Sequence, residues 1–390
     1  MWRPRLQLAS ILWLAAIAIP VSLLFLGRLH AIPYGEYIAA GQRLLLHQPL
    51  YDLSNIDGFQ YLPQSAFLFA PLAALGSPWG DVLWRALGWT AYAFGIRRLC
   101  AQLLPLRSDS AFLLSTALAI GPAFTNLING QANLLIAALA LHATGEMTHR
   151  RWWRATACLA FGLCIKPLMA VPLLLAFALY TPMRWRLALG LTIAFAAPWL
   201  FVEHAYVLAQ YRDCAAKLRL CADPDRLFED LRGLLATAGL VLSPSVYLVT
   251  RVAAAAGVLL LSWSAQKRLS QTRSAFIACA LALSYLMLFN PRTLTSSYVM
   301  PGGCAALLGA QYLLQRRVGA ALVTLAVILA WSINHHVVPW VEYWLRPLAC
   351  LAFFGVLTRE AFGDGSEPGL LLDRPASSPT RAAKAWRFIL

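Results

Sequence analysis

The sequence predicts an all-α integral membrane protein of about twelve transmembrane helices plus one short re-entrant segment, on three observations. Of its 390 residues 60% are hydrophobic and only 13% charged, about half the charge of an ordinary soluble domain. Apolar runs approaching the ~20 residues that a span requires follow one another along the chain. The Lys and Arg residues behind the net charge of +15 sit in short clusters between those runs, the pattern that sets orientation in a membrane. That placement makes the lipid bilayer, and not nucleic acid, the partner of the positive charge. Continuous apolar runs, without alternation at period two, argue against a β-barrel.

The first run follows Met1-Trp2-Arg3-Pro4-Arg5 and continues to Leu26. It is too long for a signal-peptide core and no small-residue cleavage site follows, so it reads as an uncleaved span. Spans are expected near 7–27, 79–97, 110–128, 131–147, 152–165, 168–182, 185–203, 245–264, 274–289, 297–314, 317–334 and 338–357. Residues 61–76 are apolar but short and carry Pro63 and Pro71, which suits a segment that enters the membrane and returns. Charge supports that count. If 61–76 crossed, the clusters Arg97/Arg98/Arg107, Arg150/Arg151/Arg154, Arg184/Arg186, Lys267/Arg268/Arg273 and Arg316/Arg317 would all lie outside, against the positive-inside rule. Both termini are therefore expected in the cytoplasm of a plasma (inner) membrane, with outer segments 28–60 and 204–244 facing the periplasm or exterior. Residues 1–362 read as one domain, and 363–390, rich in Gly, Pro, Ser and charge, as a mobile cytoplasmic tail.

Polar groups at membrane depth are costly and mark candidate sites. They collect at the outer ends of the expected spans. Asn129, Gln131 and Asn133 share one tight turn, which either satisfies its own backbone or offers amides to a ligand. Lys166, before Pro167, is a lysine on the side that lacks positive charge. It reads as a snorkelling residue or as a phosphate ligand. Asn290 and Arg292 form a third turn with a lone cation suited to bidentate phosphate contact. Asn334-His335-His336 forms a fourth, without partners at metal-ligand spacing, so no metal is expected. In segment 28–60, Tyr34, Glu36, Tyr37, Tyr51, Asp52 and Asp57 are the polar candidates, with Glu36 either a general base or a solvated helix residue. Two cations, several amides and a carboxylate facing one compartment suit an anionic headgroup and a hydroxylic acceptor, without choosing between catalysis and transport.

The same residues carry a resemblance. Tyr37-Ile38-Ala39-Ala40 with Pro49-Leu50-Tyr51-Asp52, then Tyr61-Leu62-Pro63 with Ala70-Pro71-Leu72, open the series. Asn129-Gly130-Gln131-Ala132-Asn133-Leu134-Leu135, Lys166-Pro167, Arg184-Trp185-Arg186 and Phe289-Asn290-Pro291-Arg292-Thr293 with Tyr298 complete it. In order, these resemble the polyprenyl-phosphate-sugar-dependent glycosyltransferases of family 87, over roughly residues 10–355. The resemblance implies a C-type glycosyltransferase-like fold, a polyprenyl-phosphate-linked sugar donor (mannose most often), a lipid or glycan acceptor at the outer leaflet, and transfer with inversion. It also implies a carboxylate base in the first outer loop and cations on the departing phosphate. The chain departs from the family where His30-Ala31-Ile32-Pro33 stands in place of an aspartate, and Leu294-Thr295-Ser296-Ser297 in place of a tryptophan–histidine element.

The expected assignment is an inverting membrane glycosyltransferase without cofactor. Glu36 is its base, with Asp52 as second choice, and Lys166 and Arg292 are the phosphate ligands. Tyr37, Tyr61, Asn129, Gln131, Asn133, Asn290 and His335 are the sugar or acceptor contacts. A transporter or flippase of lipid-linked sugar and a non-catalytic scaffold are the rival readings. Cys214 and Cys221, close together in an outer segment, are expected to form a disulfide there.

Overall fold

The computed structural model describes residues 4–29, 32–221, 227–333, 341 and 343–363, so His30, His335 and most of the expected tail lie outside the described residues. Among those described, regular structure is entirely helical. The helices are α1 (Pro4–Phe25), α2 (Ile32–Leu45), α3 (Ser65–Leu75), α4 (Trp79–Leu103), α5 (Ser108–Asn129), α6 (Asn133–Thr148), α7 (Trp152–Ile165) and α8 (Ala170–Leu179). They continue as α9 (Arg184–Ala196), α10 (His204–Cys221), α11 (Leu231–Thr237), α12 (Pro244–Arg268), α13 (Gln271–Phe289), α14 (Val299–Leu314), α15 (Val318–Ser332) and α16 (Leu345–Phe362).

Four of these helices are long and apolar enough to cross a membrane: α1, α5 with its preceding 3-10 turn, α12 and α13. A fifth crossing is possible only if the pair Pro167–Leu179 and Thr181–Leu200, bent by 119°, counts as one broken span. The sequence led us to expect two separate spans in that region. Pro167, Pro172, Pro182 and Pro198 interrupt it instead, and the ten residues of α8 extend only about 15 Å. The expected short segment at 61–76 appears as the 11-residue α3, with Pro71 inside it.

Helices α6, α13 and α14 are apolar on every side and buried on nearly every side, which marks them as the core of the bundle. Small residues let the core close up. A Cβ on Gly303 would lie 2.9 Å from the Tyr92 hydroxyl, and one on Gly302 would lie 3.0 Å from Pro122 Cβ. Such close approach replaces the hydrophobic driving force that lipid cannot supply between helices. On the outside, α1 is tied in by indole bonds: Trp13 Nε1 donates to Thr116 Oγ1 at 2.9 Å, and Trp89 Nε1 donates to the Trp13 carbonyl at 2.8 Å.

One end of the bundle gathers basic clusters. Arg98 pairs with Glu146 at 2.6 Å, Arg317 with Glu360 at 3.1 Å, and Arg273 also with Glu360. Arg107 donates to the Leu314 carbonyl, and Arg150 to Gln271. The opposite end holds the turns that carry Gln131, Lys166 and Arg292.

Candidate functional site

Residues 49–61, between α2 and α3, have no regular structure, so their backbone groups need partners from elsewhere. Helix α10 supplies them from one stripe, Val207, Gln210, Cys214, Lys217 and Cys221, all buried. Gln210 Oε1 accepts the Leu50 N–H at 2.8 Å. Lys217 Nζ donates to the carbonyls of Asp52 and Asn55 at 2.6 Å and of Asp57 at 2.5 Å. Cys214 Sγ and Cys221 Sγ donate to the carbonyls of Tyr61 and Ile56. The expected Cys214–Cys221 disulfide is therefore corrected: both thiols are free. Seven positions along one helix separate their Cα atoms by about 10.5 Å, beyond the ~4.4–6.8 Å that a disulfide bridges.

The clamped loop lies over an aromatic floor. Tyr37 stacks on Phe69 with centroids 4.6 Å apart and meets Tyr61 edge-on at 5.0 Å. Helix α2 reaches α3 closely because Gly41 has no side chain; a Cβ there would sit 2.8 Å from the Phe69 backbone. The Tyr37 and Tyr61 hydroxyls share a hydrogen bond of 2.6 Å, and the Ala132 N–H donates to Tyr37 Oη at 3.1 Å. This joins the first loop to the Asn129–Asn133 turn.

That turn is built on Gly130, at φ 61° and ψ 33°, a left-handed conformation that favours glycine. Trp84 Nε1 donates to the Gly130 carbonyl at 2.7 Å, and Arg85 Nη1 donates to the Leu127 carbonyl at 2.6 Å. Asp81, 3.0 Å from Arg85 Nε, neutralises that buried guanidinium. Emerging from the turn, Asn133 Nδ2 donates to Gln131 Oε1 at 3.2 Å.

Lys166 stands at the end of α7 with φ −145° and ψ 134°, the extended conformation that a following proline imposes. Its Nζ donates to Asn133 Oδ1 at 2.8 Å and lies 5.3 Å from the centre of the Tyr61 ring. Arg292, in the turn after α13, donates from Nη2 to Asp57 Oδ1 at 3.0 Å and from Nη1 to the Ile56 carbonyl at 2.8 Å. Burial pushes the Lys166 ammonium down to about 8, and the charge of Arg292 adds to the effect. The charge of Arg292 thus reaches Lys166, and each cation is held by a neutral or solvent-exposed partner.

The structure brings together Tyr37, Tyr61, Gln131, Asn133, Lys166 and Arg292 from the set expected from sequence. Glu36 borders them, with Oε2 3.5 Å from where a Cβ on Gly58 would lie, and it forms no hydrogen bond among the described residues. Asp52 is placed differently. Its exposed carboxylate accepts the Ser54 N–H and hydroxyl at 2.8 and 2.6 Å and the Asn55 amide at 2.7 Å. The Ser54 bonds hold its pKa below the usual carboxylate value, which suits a turn-former better than a base. Asn290 serves its own turn, donating to Thr293 Oγ1 at 3.4 Å. Asn129, half-buried at the end of α5, makes no side-chain hydrogen bond among the described residues.

Sequence reasoning did not single out Lys217, Gln210, Trp84 or Arg85. The first two are legible in retrospect as part of an i, i+3, i+7 stripe on α10. Trp84 and Arg85 hold carbonyls more than 40 residues away; the local signal for Arg85 was Asp81, four residues before it in an expected span.

The model of glycosyltransferase family 87 matches residues 59–291. No curated protein matches the chain. The matched region includes Tyr61, the Asn129–Asn133 turn and Lys166, and it stops one residue before Arg292.

Proposed function

Since the chain belongs to glycosyltransferase family 87, we propose that it moves a sugar, mannose in the first instance, from a polyprenyl-phosphate donor to an acceptor hydroxyl with inversion. The observation that carries this reading is Lys166, whose Nζ is bonded to the Asn133 amide beside Gln131 and which feels the charge of Arg292; Glu36 lies against Gly58 of the same loop. The acceptor oxygen attacks the anomeric carbon as the bond from that carbon to the phosphate oxygen breaks. The released polyprenyl phosphate gains negative charge, which Lys166 and Arg292 stabilise. Glu36, free of hydrogen bonds among the described residues, takes the acceptor proton. In this reading the four long apolar helices and the bent pair cross the membrane, shorter helices packed among them complete the bundle, and the site faces the outer side.

The experiment is transfer from radiolabelled polyprenyl-phosphate-mannose by purified protein in lipid, comparing wild type with Lys166→Ala and Glu36→Gln. Loss of transfer in both, with donor binding lost only in Lys166→Ala, supports the assignment. Full activity in Glu36→Gln would remove Glu36 as base, and donor binding indifferent to Lys166→Ala would remove the phosphate site.

A further inference from the structure

Helix α12 carries an arginine, Arg251, inside a candidate membrane span. It lies seven positions after Pro244, about 10 Å along the helix, at the end of the bundle that also carries Lys166 and Arg292. An intramembrane cation is costly and is retained where an anion meets it. Among the described residues no carboxylate pairs with it, and its Nε is buried without a partner. One turn away on the same helix face, the Tyr247 hydroxyl is likewise buried without a partner. The charges of Arg232, Arg251 and Asp230 all reach that hydroxyl. Asp230 is already committed, because its Oδ1 accepts the Gly233 N–H at 2.9 Å and caps α11. Tyr285 of α13 packs alongside, donating to the Arg251 carbonyl at 3.3 Å. Around this cluster the outward surface of α12 is apolar: Val246, Leu248, Val249 and Val252 are each at least half exposed. A ligand reaching Arg251 along this face arrives through lipid.

We propose that Arg251 and the Tyr247 hydroxyl bind the phosphate of a membrane lipid, as a second anion site on α12. No hydrogen bond or ion pair joins it to Lys166 or Arg292 among the described residues. The guanidinium donates to the phosphate oxygens, the tyrosine hydroxyl adds a further donor, and the acyl chains lie along the valine-lined face.

The test is native mass spectrometry of the full chain in detergent, titrated with dioleoylphosphatidylglycerol, with inorganic phosphate as competitor. The expected result is a retained lipid whose affinity falls tenfold or more in Arg251→Gln and several-fold in Tyr247→Phe. It stays unchanged in Lys166→Ala and is not displaced by inorganic phosphate. Wild-type binding in a folded Arg251→Gln protein would overturn the proposal, as would equal displacement by inorganic phosphate or an equal loss in Lys166→Ala. If Arg251→Gln fails to fold, Tyr247→Phe decides, since it removes a single hydroxyl, and unchanged lipid binding there overturns the site.

Discussion

Lys166 Nζ and Asn133 Oδ1 lie 2.8 Å apart, joining the end of α7 to the start of α6. A neutral amide oxygen orients the ammonium without cancelling its charge, so the cation remains available to an anion that arrives later.

Donor binding should fall as pH rises through about 8. The folded pKa of Lys166 is lowered from 10.5 to about 8, so the free site loses this charge above pH 8. Lys166→Arg, which stays protonated, should abolish the alkaline fall even if its affinity is lower. Linkage gives a second sign: between about 8 and 10.5 the unfolded chain holds the proton that the folded chain has released. Stability should therefore rise with pH across that window. Titration of donor affinity and of the melting temperature from pH 6.5 to 10 checks both.

Asp57→Asn should tighten donor binding about two- to fivefold. Asp57 is 81% exposed where it pairs with Arg292, and such a pair contributes only about 0.2–1 kcal/mol. A phosphate displaces it easily, and removing it spares that competition. Arg292→Ala should act in the opposite direction, by at least tenfold. Equilibrium binding of the two variants side by side reads the sign directly.

Lys217→Met should destabilise the protein by about 1.5–3 kcal/mol, the range for a lost charge-assisted hydrogen-bond set. It should also expose residues 50–61 to protease, because three carbonyls lose a common donor. Limited proteolysis mapped by mass spectrometry checks this.

Gly130→Ala should cost about 1–2 kcal/mol from the left-handed backbone alone. The new Cβ would also lie 2.8 Å from Arg85 Nη1, forcing the guanidinium away from Leu127. Transfer activity should fall with stability. Gly257→Ala, inside α12 with nothing within 4 Å of its added Cβ, is the control that should lower neither.

The helical class and the candidate turns were legible because they rest on local signals: apolar runs, a proline beside a turn, amides gathered in one turn, a cation on the wrong side. Lys166, Gln131 and Arg292 could be named for that reason. The turn that engages Asp52 was not legible, because it depends on Ser54 and Asn55 bonding back onto that carboxylate. The disulfide expectation failed because 204–244 was read as open loop, whereas 204–221 is helical and holds Cys214 and Cys221 a fixed distance apart. The contact of Arg85 with the carbonyl of Leu127 was not legible, since it reaches a distant helix.

The burial of α6, α13 and α14 separates the site from the thickness of its solvent. Asn133 opens α6, and the turn bearing Arg292 follows α13, so both grow from helices that meet other helices almost everywhere. α1 and α12 face outward over most of their length. A bilayer that is too thick or too thin is accommodated by tilt in the helices that contact it. Those outer helices can lean with the lipid while the candidate site around Lys166 keeps its geometry, and lipid chain length should change how the protein sits more than the shape of that site.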